Sequence, residues 1–353
     1  MPLSERDNYL QTASLTGGEY IPARVVISGA SWDQLRDDLE HVLIRHPRYF
    51  PGFQKGQRDH SAIEYDPQQR AGEEFADSYG CVWHGEVDGI IGVVEGHPLE
   101  SWDAFSDFRM PNPETHKPLG PVDWAAERER LQNAAEQGEL RLAGTEHGFL
   151  FLRLYYLRGF ENLMLDMATD EPRLQQLIDM ITDYTLFQVR RYIDYGIDVY
   201  GIAEDLGAQN ASVMGPRMFA RWIAPAYRAL IEPLRAAGVH IHNHSDGYVM
   251  DIIDQLLDVG MSICNIQDLV NGVDNIRDTL KGRVCIDLDI DRQSVVPHGT
   301  PREIDELIEY EVRTLGSERG GLMLTCGIYP PTPPENVDAV LTALEKYERY
   351  WWE

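Results

Sequence analysis

The sequence predicts a single α/β domain, a (β/α)8 barrel of the TIM type with an irregular N-terminal part. Strand-like and helix-like segments alternate over residues 126–353, and this alternation is typical of a parallel sheet. Residues 1–125 are instead rich in glycine, proline and aromatic residues. Polar side chains follow the predicted strands at their carboxyl ends, where barrels form active sites. Because barrels commonly reach 353 residues, we treat 1–353 as one domain and a doubly wound sheet as the alternative.

Short apolar runs predict the strands, and amphipathic segments predict the helices between them. The predicted strands are Ala23–Ser28, Leu140–Gly144, Asp198–Ala203, Val239–His244, Met261–Ile266, Val284–Leu288 and Gly321–Thr325. One more is expected in the first third, where Tyr79–Trp83 is a candidate, which gives about eight. The predicted helices are Ala125–Gln137, a helix from a cap at Asp170 to Tyr195, Pro216–Ala237 with a kink at Pro225, Val249–Val259, Pro301–Leu315 and Pro334–Tyr350.

The chain is strongly acidic, with 58 acidic and 31 basic residues and a formal net charge of −27. A surface of this sign repels nucleic acid and anionic membranes, so neither is an expected partner. No run of about 18 apolar residues is present, which argues against a membrane-spanning helix. The first residues are charged, whereas an export signal requires an apolar stretch there. The four cysteines are too few to stabilise a chain of this length by disulfide bonds. We therefore expect a cytoplasmic protein.

Three histidines alternate along one predicted strand, in the segment His240-Ile-His242-Asn-His244-Ser-Asp246-Gly247. Because side chains alternate in direction along a strand, the three imidazoles lie on the same face. With that face inside the barrel, His244 and Asp246 lie at its mouth and His240 lies deep. We interpret His240 as a core residue, His242 as a substrate contact and His244 as a metal ligand. Asp246 is either a catalytic carboxylate or the N-cap of the next helix.

Cys326 ends the last predicted strand, and Glu204 and Asp205 end another. A thiolate, an imidazole and a carboxylate would form a mixed zinc site with an open coordination position. We expect His244, Cys326 and Glu204 as its ligands, with Asp246 as the alternative carboxylate. The other interpretation of Cys326 is a small buried apolar residue. Glu204 and Asp205 also suit general acid–base catalysis, and one of the two suits a cap on the next helix.

Other residues at strand ends or in aromatic segments are expected to contact a small-molecule substrate. They are His147, Gln209, His242, Gln267, Trp83 and Tyr329. For the two aromatic residues, packing in the core or at the rim is the alternative.

Several short motifs follow one another through most of the chain, from about Glu5 to the last helix. They are Asp77-Ser-Tyr-Gly-Cys-Val-Trp83, His97-Pro-Leu99, Arg158-Gly-Phe-Glu-Asn-Leu-Met, Glu204-Asp-Leu-Gly-Ala-Gln209, Pro216-Arg-Met-Phe with Pro225, His244-Ser-Asp-Gly247, Gly299-Thr-Pro-Arg-Glu and Pro333-Pro-Glu-Asn336. As a set they resemble the uroporphyrinogen decarboxylase superfamily, which implies a barrel fold. The superfamily contains a cofactor-free decarboxylase and corrinoid-dependent methyltransferases, whose zinc is held by a His-x-Cys pair and a distant cysteine.

The motifs are closer to the methyltransferase branch of that superfamily. The arginine-rich N-terminal signature of the decarboxylase is missing, since Gly17–Ser28 offers only Arg24. By resemblance, His244 matches the first zinc ligand and Cys326 the distant cysteine, while Asp246 stands where the middle cysteine belongs. A harder ligand set of this kind suits an ether oxygen or an amine better than a thiol.

The resemblance implies a zinc-assisted enzyme that moves a methyl group between a small methoxylated or methylated compound, or a thiol or amine, and a corrinoid. The sequence contains no D-x-H-x-x-G cobalamin motif, so we expect the corrinoid to be free or supplied by a separate protein. Two alternatives stay open. One is a metal-free decarboxylase of the uroporphyrinogen type that acts on a carboxylated small molecule, with Asp246 and Glu204 stabilising charge. The other is a non-catalytic corrinoid- or tetrapyrrole-binding protein.

Overall fold

A parallel sheet of seven strands forms the centre of the computed structural model, which describes residues 2–60 and 63–352. The strands of the described chain are β1 (Ala23–Ile27), β2 (Glu74–Ala76), β3 (Val82–His84), β4 (Val93–Gly96), β5 (His116–Lys117), β6 (Gly120–Pro121), β7 (Leu142–Gly144), β8 (Val199–Glu204), β9 (His240–Ser245), β10 (Ile263–Gln267), β11 (Cys285–Asp289) and β12 (Leu322–Ile328). The parallel sheet has the order β1-β12-β11-β10-β9-β8-β7. Sequential parallel neighbours of this kind confirm the predicted barrel-type fold.

Helices alternate with these strands and pack on the outside of the sheet. They are α1 (Glu5–Ala13), α2 (Gly29–Leu43), α3 (Trp124–Glu136), α4 (Phe151–Arg158), α5 (Phe160–Thr169), α6 (Pro172–Asp194), α7 (Gly215–Met218), α8 (Ala224–Ala236), α9 (Ile253–Val259), α10 (Asp268–Asn271), α11 (Val273–Leu280), α12 (Val295–His298), α13 (Pro301–Leu315) and α14 (Pro334–Tyr347). The apolar face of α8 is an example, since Leu230, Ile231 and Leu234 have no exposed surface. Burial of each such side chain stabilises the fold by about 1.5–3 kcal/mol. None of the described helices is long and apolar enough to cross a membrane.

Most predicted helices are present, with local corrections. Helix α13 spans the predicted residues, and its cap at Thr300 forms the reciprocal hydrogen bonds of a capping box. Helix α6 is capped by Glu171, because Asp170 instead ends α5 in the left-handed conformation at φ 54°. The predicted long helix around Pro225 is interrupted by a π-helical segment, Phe219–Ile223, before α8 begins.

The eighth strand expected in the first third is not part of the described parallel sheet. The candidate segment contributes β3, which pairs with β2 and β4 in a separate antiparallel sheet. Strands β1 and β7 are therefore the two edges of the parallel sheet. Val26 on β1 and Leu142 on β7 line the cavities inside the barrel and are 43% and 45% exposed. Among the described residues, no strand pairing joins β1 to β7, so the hydrogen-bonded sheet is not closed between them.

Asp198, which precedes β8, connects the N-terminal helix to the sheet. Its carboxylate accepts hydrogen bonds from Arg6 of α1 at 2.7 Å and from Arg141 at 2.6 Å. Burial raises the pKa of this carboxyl, but the two guanidinium groups outweigh burial and hold the pKa well below its usual range.

We expect Asp198→Asn to lower the free energy of unfolding by about 1–3 kcal/mol at pH 7, because both arginines lose their charged partner. The loss is limited because both arginines are partly exposed to solvent. A carboxyl whose folded pKa is lowered stabilises the fold above its unfolded pKa of about 4 and loses this effect at lower pH. The difference between wild type and variant in urea unfolding should therefore shrink below about pH 4. A difference that stays constant from pH 7 to pH 3 would contradict this account.

Candidate active site

The loops that follow β8 and β9 touch each other through two glycines. A Cβ atom at Gly207 would lie 2.4 Å from the carbonyl carbon of Gly247, and a Cβ at Gly247 would lie 2.3 Å from Gly207. Gly247 also has a φ of +78°, which favours glycine. This backbone contact places Asp205, two residues before Gly207, beside Asp246, which directly precedes Gly247.

Asp205, His244 and Asp246 form a cluster at the mouth of the barrel. Each offers one ligand atom, and these atoms all lie within 4.8 Å of one another. His244 Nε2 lies 3.5 Å from Asp246 Oδ1. The three side chains are about one-third exposed, so a small molecule can reach them. One imidazole and two carboxylates are a donor set that divalent cations accept.

The hydrogen bonds of His244 fix which ring nitrogen is free. Asn265 donates from Nδ2 to the carbonyl oxygen of Asp287 at 2.8 Å, so its Oδ1 faces the imidazole as an acceptor. His244 Nδ1 lies 2.6 Å from that oxygen and therefore donates to it. In the neutral ring the lone pair is then on Nε2, which points at the two carboxylates. Orientation by an outer partner of this kind is typical of metal-binding histidines.

Asp205 is held from the other side by His147. His147 Nε2 lies 3.4 Å from Asp205 Oδ2, and its Nδ1 lies 2.7 Å from the hydroxyl of Tyr156. Burial raises the pKa of Asp205, but the hydrogen bond and charge of His147 bring it below the ordinary value. The remaining oxygen, Oδ1, is buried and has no hydrogen-bond partner among the described residues. A buried carboxylate oxygen without a protein donor is available to a water molecule or a cation.

Arg292 balances part of the negative charge at the mouth. Its Nη2 contacts Asp246 Oδ1 and lies 3.0 Å from Asp289 Oδ2. Its guanidinium lies 5.5 Å from the centre of the Tyr329 ring. Burial raises the pKa of Asp289 to about 6, although Arg292 opposes the shift. The mouth therefore combines carboxylates with a fixed cation.

Glu204 does not join the cluster, contrary to the expected metal ligation and acid–base role. It faces the outer side of β8, and its carboxylate accepts hydrogen bonds from the amides of Phe151 at 2.9 Å, Leu152 at 2.8 Å and Leu150. These amides are the free donors at the start of α4, so Glu204 caps a helix that lies about 50 residues earlier in the chain. Burial raises the pKa of Glu204 to about 7 even against the three donors.

Cys326 is also separated from the cluster. Thr325 and Gly327, its neighbours on β12, line the cavity inside the barrel, so Cys326 points to the outer face of the sheet. It is fully buried there, and burial together with nearby carboxylates raises the pKa of its thiol well above the usual range. The expected zinc ligation by Cys326 is therefore corrected to the alternative, a small buried core residue.

The remaining predicted residues divide into those that face the barrel interior and those that do not. His242, His244 and Tyr329 line the cavity below the mouth, and His147 lies beside Asp205. Gln267 accepts a hydrogen bond from the Gly247 amide at 2.9 Å and so supports the glycine contact. Gln209 is exposed in the loop after β8. Trp83 is buried in the core, where it packs edge-on against Tyr156.

A buried ion pair that contributes to the environment of His147 was not predicted from the sequence. Asp77 accepts a hydrogen bond from Arg153 at 2.7 Å and another from Trp83 Nε1 at 3.2 Å. The Arg153 guanidinium lies 5.3 Å from the ring centre of Tyr156, whose hydroxyl contacts His147. The sequence signal was the Asp77–Trp83 motif, but its partner arginine is 76 residues away.

Comparison with known proteins agrees with this architecture. Residues 80–347 match the family model of uroporphyrinogen decarboxylase (URO-D), so the chain belongs to this family. The fold is also that of a methyltransferase from Methanosarcina mazei, with a TM-score of 0.62 at 16% identity over 97% of this chain and 98% of that one. No curated protein sequence matches the chain.

Two further solved structures have lower similarity to this fold. A B12-independent methionine synthase from Shewanella sp. W3-18-1 aligns with a TM-score of 0.39 at 10% identity, over 67% of this chain and 72% of that one. A D-psicose 3-epimerase aligns with a TM-score of 0.37 at 10% identity, over 65% and 82%. At these TM-scores neither structure supports an inference about this chain.

We expect Glu204→Gln to lower the free energy of unfolding by about 2 kcal/mol, because the amide places N–H donors against the amides at the start of α4. The exposed Glu139 provides the matched control, and Glu139→Gln should change stability by less than about 0.5 kcal/mol. Urea unfolding of both variants at pH 7 measures the difference. Equal stability of the two variants would refute the capping role.

Proposed function

We propose that the protein is a methyltransferase that moves a methyl group from a small methoxylated or methylated compound to a corrinoid, with a divalent cation, zinc, at Asp205, His244 and Asp246. The observation that carries the proposal is the orientation of His244. Its Nδ1 is committed to Asn265, so its Nε2 is free between two carboxylates. Family membership and the fold of the Methanosarcina mazei methyltransferase support the same conclusion.

The residues at the mouth fit a divalent cation. Zinc accepts imidazole nitrogen and carboxylate oxygen, and a three-ligand set leaves a position open for substrate. The unpartnered Oδ1 of Asp205 would gain a partner on binding. Without a thiolate the site is harder than a His-x-Cys site and suits an oxygen or nitrogen atom of the substrate. When bound, the cation supplies Lewis acidity at the heteroatom that carries the methyl group.

The chain's own residues would hold and orient the reacting groups. His147 fixes Asp205, and Asn265 fixes His244, so both side chains keep their positions without ligand. Arg292 pairs with Asp246 and Asp289 and limits the negative charge at the mouth. Such preorganised charge stabilises a reaction in which charge develops on a leaving heteroatom.

The corrinoid part of the proposal rests on the resemblance of the motifs and on access to the mouth. Asp205, His244 and Asp246 are 34%, 27% and 38% exposed at the carboxyl ends of the strands. A cofactor carried by a separate protein, or free in solution, would reach the three side chains from the solvent at this end of the barrel. When present, the corrinoid supplies the nucleophile that accepts the methyl group.

We expect His244→Ala, Asp205→Asn and Asp246→Asn each to lower zinc affinity by at least about 100-fold, because each removes or weakens a ligand. Cys326→Ser should bind zinc as wild type does. Equilibrium dialysis with zinc measures the affinities. A second group of donors, Asp37, Glu40 and His60, lies outside the barrel. Zinc bound at this second group would be lost in His60→Ala, so this variant separates the two sites. Loss of zinc in Cys326→Ser but not in His244→Ala would refute the ligand set.

The role of Asn265 has a separate test. We expect Asn265→Ala to weaken zinc binding by about 10–100-fold, because His244 loses the partner that sets its tautomer. Asn275→Ala, on an exposed helix position, is the matched control and should leave the affinity unchanged. If both variants bind zinc as tightly as wild type, the orientation of His244 does not depend on Asn265.

The activity itself is tested by methylation of cob(I)alamin with a panel of methoxylated compounds and methylamines. We expect methylation by the zinc-loaded wild type and a loss of at least about 100-fold in His244→Ala. The absorbance change of the corrinoid follows the reaction. Release of carbon dioxide from a carboxylated substrate, without methylation and unaffected by chelators, would favour the decarboxylase alternative instead.

A further inference from the structure

Two buried acidic side chains face each other between α13 and the sheet, apart from the cluster at the mouth of the barrel. Glu311 of α13 is fully buried, and neither oxygen of its carboxyl group has a hydrogen-bond donor among the described residues. It is in hydrogen-bond contact with the side chain of Asp268, the first residue of α10, which is 1% exposed. Two ionised carboxylates can only accept hydrogen bonds and repel each other, so this contact requires a proton.

No positive charge within the described part of the chain compensates the pair. The third charged group that acts on both side chains is Asp291, which is also acidic. Cys326 faces the same region from β12, and burial together with these carboxyl groups raises the pKa of its thiol, which therefore stays neutral. The ionisable groups on the helices that contact α13 have other partners or are exposed: Asp274, Arg277 and Asp278 of α11 pair with one another, Lys346 and Tyr347 of α14 contact Asp305, Asp338 and Glu345 contact His46, and His298 and Glu335 are exposed.

The hydrogen bonds of the pair indicate which carboxyl group carries the proton. Asp268 accepts hydrogen bonds from the amide of Leu269 and from the amide of Asp291 at 2.9 Å, and both stabilise its ionised form. Glu311 accepts none from the described residues. Burial and the adjacent Asp268 raise the pKa of Glu311 well above its usual range. The protonated oxygen of Glu311 therefore donates to the Asp268 carboxylate.

Asp268 connects this proton to the loop between β11 and α12. Asp291 of this loop donates its amide to Asp268, and its own carboxylate accepts backbone amides at the start of α12 at 2.6 and 3.0 Å. The next residue, Arg292, contacts Asp246 at the mouth of the barrel. A series of contacts thus runs from Glu311 to the mouth.

We infer that Glu311 is a positioning residue for the mouth: one proton, carried by Glu311 and shared with Asp268, fixes the loop after β11 and holds Arg292 against Asp246. Opening of this loop removes the Asp291 amide from Asp268 and admits water to both carboxyl groups, so that Glu311 releases its proton to water. The inference requires neither the metal nor the corrinoid, so it succeeds or fails separately from the proposed function.

The release of a proton makes opening of the loop dependent on pH. A carboxyl group whose pKa is raised in the closed loop and ordinary in the open loop binds its proton more tightly in the closed loop. The opening constant therefore rises with pH, by up to about tenfold per pH unit, from the ordinary pKa of about 4.3 up to the raised pKa.

The test is hydrogen–deuterium exchange of residues 289–295 in the metal-free protein between about pH 5 and pH 9, corrected for the intrinsic exchange rate. In wild type we expect the opening constant of this segment to rise with pH by up to about tenfold per unit. Glu311→Gln keeps a neutral side chain that donates to Asp268, so its opening constant should be independent of pH. Glu306→Gln, at an exposed position of the same helix, is the matched control and should behave as wild type does. The same pH dependence in wild type and Glu311→Gln would overturn the inference.

Two further measurements examine the proton and the loop separately. The infrared difference spectrum between wild type and Glu311→Gln at pH 7 should contain the carbonyl stretch of a protonated carboxyl group, and its absence would show that Glu311 is ionised. Glu311→Leu fills a similar volume without a donor, and it should raise the opening constant of residues 289–295 at about pH 6 by about 10–100-fold. If the loop of Glu311→Leu stays as protected as that of wild type, Glu311 does not position it.

Discussion

The contact between Gly207 and Gly247 is the constraint on which the site depends. It brings two loops together backbone to backbone, and no larger side chain fits at either position. Asp205 and Asp246 are adjacent only because of this contact, and His244 lies two residues before Asp246 on the strand that enters the second loop. Gln267, the last residue of β10, supports this arrangement because its side-chain oxygen accepts a hydrogen bond from the Gly247 amide. The chemistry of the mouth is thus set by backbone packing.

The sequence was sufficient for the fold and for the general position of the site. Alternation of strands and helices predicted the barrel, and the histidine alternation predicted that His242 and His244 share the inner face, where both line the cavity. It was not sufficient for the direction of residues at strand ends. Glu204 and Cys326 lie one residue away from positions that face inward, and a one-residue shift moves a side chain to the other face. Applying the same alternation to β8 and β12 would have shown this.

Other features depend on contacts between distant parts of the chain. The start of α4 is stabilised by Glu204, so no local capping residue precedes that helix and its boundary could not be read from the pattern. The support of His147 by Tyr156 and Arg153 likewise requires the fold to be known. These are the cases in which tertiary contacts replace local signals.

The central claim is that Asp205, His244 and Asp246 together bind a divalent cation. The most direct measurement is anomalous diffraction at the zinc absorption edge from crystals equilibrated with zinc. The account predicts an anomalous peak within coordination distance of His244 Nε2 and of the carboxylates of Asp205 and Asp246. A zinc peak beside Cys326, or no peak at the mouth of the barrel, would contradict it.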